Sequence, residues 1–324
     1  AAGWGDNDWV ITSPFSFVSS TNVLLYERIT PIFVDVDPMT GNIDPQQVEQ
    51  AVHNLTSSHT AAQRWLPPKG ISDSGQLKGM IAIDVFGQPA DFDALRTITD
   101  PFQLKVIEDS CEALGAEYKN RKAGTLGDFG VFAFYPNKQI TTGEGGLVIS
   151  NHDEDADKIR AMRNQGRAPG DTWLEHTYLG YNYRMDELSA ALGAAQMKRI
   201  HELMAARQRV ADWYQAELSS VPGITCPVVA PTTTRSSWFV YVIRLDRGID
   251  RKSLSEKLEA LGIPVRPYFS PIHFQPYIRE KFGYQKGRFP VTEDLGERGL
   301  ALPFSGKMTE EQVQEIASAL RQIL

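Results

Sequence analysis

The sequence has little cysteine and no long apolar run. Only two cysteines, Cys111 and Cys226, occur in 324 residues. That is too few for a disulfide framework and is typical of a reducing compartment. No apolar stretch approaches the roughly 18 residues that a membrane span needs, and no signal-peptide pattern opens the chain. We therefore expect a cytoplasmic protein that does not cross a membrane.

Positive charge is also in short supply. Lys and Arg total 33 against 40 Asp and Glu, so the formal net charge is −7, and no long basic cluster occurs. Such a chain lacks the electrostatic footprint of a nucleic-acid-binding protein. With 42% hydrophobic residues it has enough apolar surface to fold, and its 324 residues favour two lobes over one small domain.

Strand and helix patterns alternate through the first two thirds of the chain. Strands are predicted at 9–12, 31–36, 80–86 and 104–109, separated by helical patterns. This order predicts an α/β fold around a mostly parallel sheet. The segment 59–79 is predicted to be a surface loop because it is rich in Pro, Gly and Ser. The residues responsible are Pro67, Pro68, Gly70, Ser72, Ser74 and Gly75.

The remaining third predicts a second, smaller α/β domain. Apolar residues at helical spacing predict one long helix over 186–218, and the polar break that follows it predicts the domain boundary. We assign residues 1–218 to a large domain, which includes that helix, and 219–324 to a small domain. The small domain is predicted to hold a strand at 238–244 and a helix at 251–261. A final helix is predicted to begin with a capping box.

Asp109 and Lys138 are the candidate catalytic residues. Asp109 ends a predicted parallel strand, where open α/β sheets bind ligands, although a turn or N-cap carboxylate is the alternative. Lys138 lies in a Gly-rich loop between two apolar strands, and a solvated surface lysine is the alternative. A desolvated lysine amine forms Schiff bases, and a carboxylate can keep a pyridine nitrogen protonated. Pyridoxal phosphate needs this pair.

Several motifs, in order along the chain, resemble a single family. They are Phe-Gly-Gln-Pro-Ala-Asp at 86–91, Glu-Asp-Ser-Cys-Glu-Ala-Leu-Gly-Ala at 108–116, Gly-Thr-Leu-Gly-Asp at 124–128, Asn-Lys-Gln-Ile-Thr-Thr-Gly-Glu-Gly-Gly at 137–146, Gly-Tyr-Asn-Tyr-Arg-Met-Asp-Glu at 180–187 and Pro-Ile-His-Phe-Gln-Pro at 271–276. The chain resembles the DegT/DnrJ/EryC1/StrS aminotransferases from about Val10 to its C-terminus. The resemblance implies fold type I with a seven-stranded-type sheet. It also implies pyridoxal 5'-phosphate, with pyridoxamine phosphate as the amino-bearing form, and a homodimer with shared active sites.

The resemblance implies roles for residues that bind the cofactor. Lys138 would hold pyridoxal phosphate covalently and move a proton at the substrate carbon, and Asp109 would pair with the pyridine nitrogen. Phe17 would stack on the ring, with core packing in a strand as its alternative. Glu112 would lie beside the cofactor. Asn182 would reach the phosphate of the cofactor in the neighbouring subunit.

Three further residues are implied on the substrate side. His273 matches a family residue near the substrate, although a histidine in a Pro-rich loop can equally be structural. Arg184 is a candidate anion contact or, alternatively, the partner of Glu187 in an ion pair at a helix start. The region around Tyr268, together with the loop 59–79, would contribute to sugar recognition. No metal site is predicted.

Three departures from the family pattern affect these expectations. Glu112 stands where members commonly have His or Gln beside the phenolic oxygen of the cofactor, so it must be protonated, turned away or partnered. Ala133 stands where many members have a Ser that donates to the phosphate. The family's phosphate-binding loop at a helix N-terminus has no match. We expect that loop to precede Ala1, with Ala1–Gly3 ending the helix that follows it, in a longer protein.

The expected activity is transfer of an amino group from glutamate to a nucleotide-linked keto sugar in polysaccharide or antibiotic sugar biosynthesis. The sequences of residues 142–146 and 183–187 resemble those of members that aminate sugar carbon 4 more than those of members that aminate carbon 3. A dehydratase branch of the family carries His in place of the lysine, so Lys138 argues against that activity. A degenerate member acting as a regulatory or scaffold protein is the alternative. A nicotinamide-dependent dehydrogenase lacks support, because no Gly-rich fingerprint follows the first strand.

Overall fold

The computed structural model describes residues 1–57, 59–71 and 75–324. The strands are β1 (Trp9–Thr12), β2 (Thr30–Phe33), β3 (Leu77–Ile83), β4 (Lys105–Asp109), β5 (Glu117–Tyr118), β6 (Arg121–Lys122), β7 (Phe129–Ala133), β8 (Gly146–Ser150), β9 (Ile224–Thr225), β10 (Thr233–Arg235), β11 (Tyr241–Leu245), β12 (Arg266–Pro267) and β13 (Gly299–Leu302). The α-helices are α1 (Ser19–Tyr26), α2 (Pro45–Ser57), α3 (His59–Ala62), α4 (Phe92–Thr99), α5 (Asp153–Arg163), α6 (Glu187–Met197), α7 (Ile200–Leu218), α8 (Arg251–Ala260), α9 (Pro276–Phe282), α10 (Pro290–Arg298) and α11 (Glu310–Ile323).

The central sheet carries the first half of the chain. Its strand order is β2-β1-β3-β4-β7-β8. The first five strands are parallel and β8 is antiparallel to β7. Every residue of β1 and β2 is buried, which explains their mostly apolar sequences. The mostly parallel α/β fold is therefore confirmed, although the described residues build six strands of the sheet rather than a seven-stranded type.

A second sheet, of order β12-β13-β11-β9, is antiparallel. Burial alternates along β11, where Tyr241, Ile243 and Leu245 join a core with the second half of α7 and with α11. This is the expected smaller α/β unit. The boundary at residue 219 remains a prediction, since Leu218 already packs in this core. Strand β10 pairs with β5, so the chain crosses back after that boundary.

The long helix predicted over 186–218 is wrong, because α6 and α7 are separate helices. Their break falls at Lys198 and Arg199. The side-chain amide of Gln196, near the end of α6, bonds both backbone groups of Thr141, at 2.6 and 3.1 Å. The second half of α7 packs on the small sheet, while Ile200 and Leu203 in its first turns pack on the cluster that contains Ile140. The apolar spacing continues across the break, so the pattern could not reveal the interruption.

Two other predicted elements differ from the structure. The strand predicted at 238–244 begins later, at Tyr241, because Trp238 adopts left-handed backbone with φ 49°. The segment 59–79 is more than a surface loop, since it contains α3 and buries Trp65 and Leu66 in the main core. Two of its predicted loop residues, Ser72 and Ser74, lie outside the described residues.

The start of helix α11 agrees with the prediction. The Thr309 side chain accepts the backbone N–H of Gln312, and the Gln312 side chain accepts that of Thr309. The capping box is therefore confirmed. Within the described ranges, no helix combines the length and the apolar character that crossing a membrane requires.

Candidate active site

Four neighbouring parallel strands end at one edge of the central sheet. Phe17 follows β1, Phe86 follows β3, Asp109 ends β4, and Lys138 follows β7. Parallel strands present their carboxyl ends together, and open α/β sheets bind ligands beyond these ends. The fold thus brings the two principal predicted residues to the edge where chemistry is expected.

Lys138 is enclosed rather than solvated. Only 14% of its side chain is exposed, and its Nζ lies 3.8 Å from Oε1 of Glu112. The same Nζ lies 4.2 Å from the centroid of the Phe239 ring, within the range of a cation–π contact. The alternative of a surface lysine is therefore excluded by its surroundings, and the amine stands in a confined, carboxylate-bearing site.

The loop that carries Lys138 is fixed from two sides. Next to it, the Gln139 side chain donates to Oγ of Ser237 at 2.7 Å and to the carbonyl oxygen of Glu112. On the other side, Thr141 donates through Oγ1 to the carbonyl of Phe134 at 3.0 Å. These bonds hold the loop against both the central sheet and the segment before β11. The lysine is consequently positioned by the fold and not by its own flexible side chain.

Glu112 is both partnered and weakly acidic. Its Oε2 accepts the backbone N–H of Phe86 at 2.9 Å, and its Oε1 faces Lys138. Burial raises the pKa of Glu112 to about 7, with the opposing charge of Lys138 limiting the rise. Of the three possibilities that the sequence left open, the side chain is not turned away. Near neutral pH it can exchange a proton with its surroundings.

Asp109 reaches the sheet edge with its carboxylate. Its Oδ1 accepts the backbone N–H of Cys111 at 3.2 Å. The Cys111 thiol also interacts with this carboxylate, whose negative charge helps to raise the pKa of that thiol after burial, the largest cause. The side chain is half-buried at the sheet edge. A half-buried acceptor of this kind fits a cationic N–H from a bound ring.

Both carboxylate oxygens of Glu108, the residue before Asp109, accept hydrogen bonds from the protein. Its carboxylate accepts three backbone N–H groups, from Gly124 at 2.6 Å, Leu126 at 2.7 Å and Gly127 at 3.2 Å. Glu108 therefore shapes the turn before β7 and is not available to a ligand.

Asp84 completes this buried group. Its oxygens accept Oγ–H of Ser110 at 2.6 Å and the N–H of Ala90 at 3.0 Å. Burial and the neighbouring Glu108 raise the pKa of Asp84 well above its ordinary value. Burial therefore disfavours negative charge on this pair of acids beneath Asp109.

Phe17 lies outside any strand, and 63% of its side chain is exposed. The alternative of core packing in a strand is therefore wrong for this residue. Phe15, two residues earlier, is the buried aromatic at 2% exposure. An exposed aromatic ring beyond the end of β1 is suited to cover the face of a planar ligand.

Asn182 and Arg184 lie on an exposed segment between α5 and α6. Asn182 forms an isolated backbone bridge with Asn164. Arg184 donates to Oδ1 of Asn164 at 2.7 Å. Within the part of the chain that the structure describes, Arg184 forms no ion pair with Glu187, so that alternative is not observed. Both residues remain predictions as ligand contacts.

Tyr268 lies beside the site. Its ring centroid is 6.0 Å from that of Phe86. Burial raises the pKa of Tyr268, and the negative charge of Glu112 contributes to that rise. A role for Tyr268 as a substrate contact remains a prediction.

His273, in contrast, is fully buried. Its Nε2 lies 3.1 Å from Oε1 of Glu293, and its ring packs at 4.9 Å from the Phe289 ring. Burial lowers the pKa of this imidazole, although Glu293 opposes the shift. The structural alternative given for His273 accounts for all of these contacts.

Three residues of the site were not singled out from the sequence. Phe86 follows a parallel strand at the same edge as Asp109, so the strand-end rule could have found it. Gln139 is adjacent to Lys138 but carries no separate signal. Phe239 lies about a hundred positions further along the chain, and only the fold brings it to the amine.

The site offers the groups that a pyridoxal ring needs. The enclosed amine of Lys138 suits the aldehyde, the half-buried carboxylate of Asp109 suits the pyridine N–H, and the exposed Phe17 suits the ring face. Ala133 brings no side-chain donor for the phosphate. Among the described residues, no group of three or more His, Cys, Asp or Glu side chains is arranged to hold a metal ion.

Comparison with known proteins gives the same assignment. The model of the DegT/DnrJ/EryC1/StrS aminotransferase family matches residues 1–321. GDP-perosamine synthase of Caulobacter vibrioides is 35% identical over 327 residues, covering 100% of this chain and 81% of that protein. A DegT DnrJ EryC1 StrS aminotransferase from Brucella abortus matches with a TM-score of 0.87 and 29% identity, over 99% of this chain and 81% of the other. S. venezuelae DesV, in complex with a ketimine intermediate, matches with a TM-score of 0.86 and 28% identity, over 99% and 79% of the two chains.

The extent of these matches confirms the resemblance seen in the motifs. The family model spans almost the whole chain, and its structural relatives share the mostly parallel sheet that positions Asp109 and Lys138. Members of this family use pyridoxal phosphate, which the residues at the sheet edge fit. The chain belongs to the DegT/DnrJ/EryC1/StrS family of pyridoxal-phosphate-dependent aminotransferases.

Proposed function

We propose that the protein transfers an amino group from glutamate to a keto carbon, carbon 4 in preference to carbon 3, of a nucleotide-linked deoxy sugar. The enclosed amine of Lys138, 3.8 Å from Glu112 and at the same sheet edge as Asp109, carries this proposal. The name of the Caulobacter relative, GDP-perosamine synthase, supports a nucleotide-sugar substrate. The preference for carbon 4 rests on the amino-acid sequences of residues 142–146 and 183–187.

Each residue of the site has a proposed part in the reaction. Bound pyridoxal phosphate supplies an electron sink that stabilises negative charge at the substrate carbon. Lys138 holds the cofactor and then carries the proton to and from that carbon. Asp109 keeps the ring nitrogen protonated, and Phe17 covers the ring face. Glu112, whose pKa is raised to about 7, can donate or accept a proton next to Lys138.

The substrate side is proposed to include Tyr268 and Arg184. Tyr268 lies close to Glu112, and Arg184 is exposed and can meet an anionic group. His273 is assigned to packing, because its imidazole is buried against Glu293.

We also propose a homodimer with shared active sites in the cytoplasm. The segment from 173 to 197 exposes large apolar side chains, which soluble monomers rarely leave uncovered. They are Trp173 at 77%, Leu174 at 82%, Leu179 at 93%, Tyr183 at 72% and Leu188 at 85%. Covering this face with a second copy would bring Asn182 to the partner's cofactor phosphate. Sedimentation velocity is expected to give twice the chain mass, and a monomer at micromolar concentration would contradict it.

The alternative of a degenerate regulatory or scaffold protein receives little support. Ala133 weakens phosphate binding by one donor, but Lys138 and Asp109 are both present at the same sheet edge, which supports the enzyme. A protein without the chemistry has no need of an enclosed amine beside a carboxylate.

The test is turnover of purified protein with pyridoxal phosphate, glutamate and a panel of nucleotide keto sugars, followed by mass spectrometry of the amino sugar. Lys138→Ala is expected to lower turnover at least about 10³-fold and to remove the absorbance of the covalently held cofactor. Lys122→Ala is the matched control, since that lysine is 58% exposed on β6. Normal turnover by Lys138→Ala would show that the lysine does not have this role.

A further inference from the structure

A cavity separate from the catalytic residues lies between the two sheets. It has a volume of about 70 Å³, and its walls come from the segment 39–41 on one side and from β11 on the other. Most of the lining is apolar, including Phe15, Val85, Val240 and Val242. Lys138, Asp109 and Glu112 do not line it. The cavity therefore adjoins the candidate active site, with Phe86 and Tyr268 lining it, but does not contain the catalytic residues.

Arg244 is the charged residue of this cavity. The alternation along β11 buries Ile243 and Leu245 in the small-domain core, and it directs Val242 and Arg244 to the opposite face, which lines the cavity. Among the described residues, its guanidinium has neither a hydrogen bond nor an ion pair. A half-buried guanidinium without a partner is unusual, because removing a charge from water is costly unless an opposite charge accompanies it.

The charged groups that face Arg244 are already engaged elsewhere. Asp37 and Asp294 raise its pKa, while burial, the largest influence, and Arg298 lower it. Asp37 Oδ1 accepts the backbone N–H groups of Met39 and Thr40, at 3.0 and 2.8 Å.

Asp294 is paired with two other arginines. It forms ion pairs with Arg298 and Arg247. The Nε of Arg298 is itself buried without a partner. The surroundings of Arg244 therefore leave a positive charge that the described protein groups do not neutralise.

We propose that this cavity binds a small organic monocarboxylate, with its carboxylate on Arg244 and its alkyl body between the two sheets. A planar guanidinium can hold a carboxylate through two parallel hydrogen bonds. Since one water needs roughly 10–15 Å³ of such space, the cavity holds on the order of five non-hydrogen atoms. That size matches an acid of about three or four carbons.

The apolar walls decide between this ligand and an inorganic anion. Phosphate is of similar size, but it needs several donors, and the Thr40, Gln88 and Ser236 side chains of the lining already donate to protein oxygens. A short alkyl group replaces water against those walls favourably. Because the walls come from both sheets, the bound acid would hold the two units of the chain against each other.

Isothermal titration with butyrate tests the proposal, using Lys138→Ala protein so that the catalytic amine takes no part. Saturable binding with one site per chain is expected, together with a rise in melting temperature. Arg244→Gln is expected to weaken binding at least tenfold. Arg266→Gln is the matched control, because that arginine is 67% exposed on β12, and it should bind butyrate unchanged.

A second variant separates the cavity from the charge. Val242→Phe keeps Arg244 but fills the space, and it is expected to abolish butyrate binding. This variant also tests the butyrate-binding proposal if Arg244→Gln does not fold. The proposal is overturned if the parent protein does not bind butyrate, if both variants bind it unchanged, or if inorganic phosphate binds more tightly than butyrate.

Discussion

Glu108 and Asp109 are consecutive acids on one strand, and the protein uses them in opposite ways. Successive side chains of a strand point to opposite faces of the sheet. Glu108 is fully buried and accepts three backbone N–H groups of the turn before β7. Asp109 accepts the N–H of Cys111 and reaches the ligand edge.

The residues on one face of β4 bind other protein groups, whereas Asp109 on the other face is directed to the ligand edge. On the rear face, Asp84, Ser110 and Glu108 satisfy one another and the neighbouring backbone. On the front face, Asp109 and Glu112 keep part of their capacity for a ligand or a proton. We therefore expect the loss of Glu108 to alter mainly stability and the loss of Asp109 to alter mainly catalysis.

The largest expected effect is on stability. Glu108→Ala leaves three buried N–H groups without an acceptor, which should cost on the order of 5 kcal/mol in the free energy of unfolding. Asp109→Ala removes one bond at the sheet edge and should cost about 1 kcal/mol. Urea unfolding of both variants without cofactor measures the contrast. Equal losses would mean that the two faces do not differ in this way.

The reverse contrast is expected in catalysis. Asp109→Asn preserves size and the bond to Cys111 but removes the charge opposite the ring nitrogen. Turnover should fall by roughly 10²–10³-fold, a change typical of losing one preorganised electrostatic partner. Steady-state kinetics at saturating pyridoxal phosphate measures it, with the unfolding free energy as control. If the variant were as active as the parent, Asp109 would have no role in catalysis.

The smallest of the three effects concerns Glu112 and pH. Its pKa is about 7 in the folded protein against an ordinary value of 4.5, a difference worth roughly 3 kcal/mol. The folded state holds this proton more tightly, so the associated stability is complete below pH 4.5 and is lost as the pH rises through 7.

Glu112→Gln removes this titration while keeping an acceptor for the N–H of Phe86. Between pH 5 and pH 8, the cofactor-free parent should therefore lose about 3 kcal/mol more unfolding free energy than the variant. Urea midpoints at the two pH values measure the difference. If the unfolding free energies of the two proteins changed equally with pH, the titrating group would not be Glu112.

The sequence predicted the fold class and the two main residues for an identifiable physical reason. Uninterrupted apolar runs mark strands buried on both faces, and residues after such strands gather at one edge. Asp109 and Lys138 satisfy that rule without reference to distant contacts. The capping box of α11 was equally local, since Thr309 and Gln312 need only each other.

What the sequence missed depends on contacts between distant segments. Phe239 reaches Lys138 only because the residues before β11 return to the central sheet. The exposure of Phe17 and the burial of His273 likewise follow from tertiary packing and not from their neighbours in sequence. The state of Glu112 could not be chosen from the sequence, because its partner, the Phe86 N–H, lies 26 positions away.

The break between α6 and α7 has a mechanical consequence. Helix α6 is fastened to the catalytic loop through Gln196 and Thr141, and the second half of α7 belongs to the core of the small sheet. Just past the interruption at Lys198 and Arg199, Ile200 and Leu203 of α7 pack on the same cluster as Ile140 of that loop. A shift of the small unit is therefore passed through α7 to the loop that carries Lys138, which couples the amine to the position of that unit.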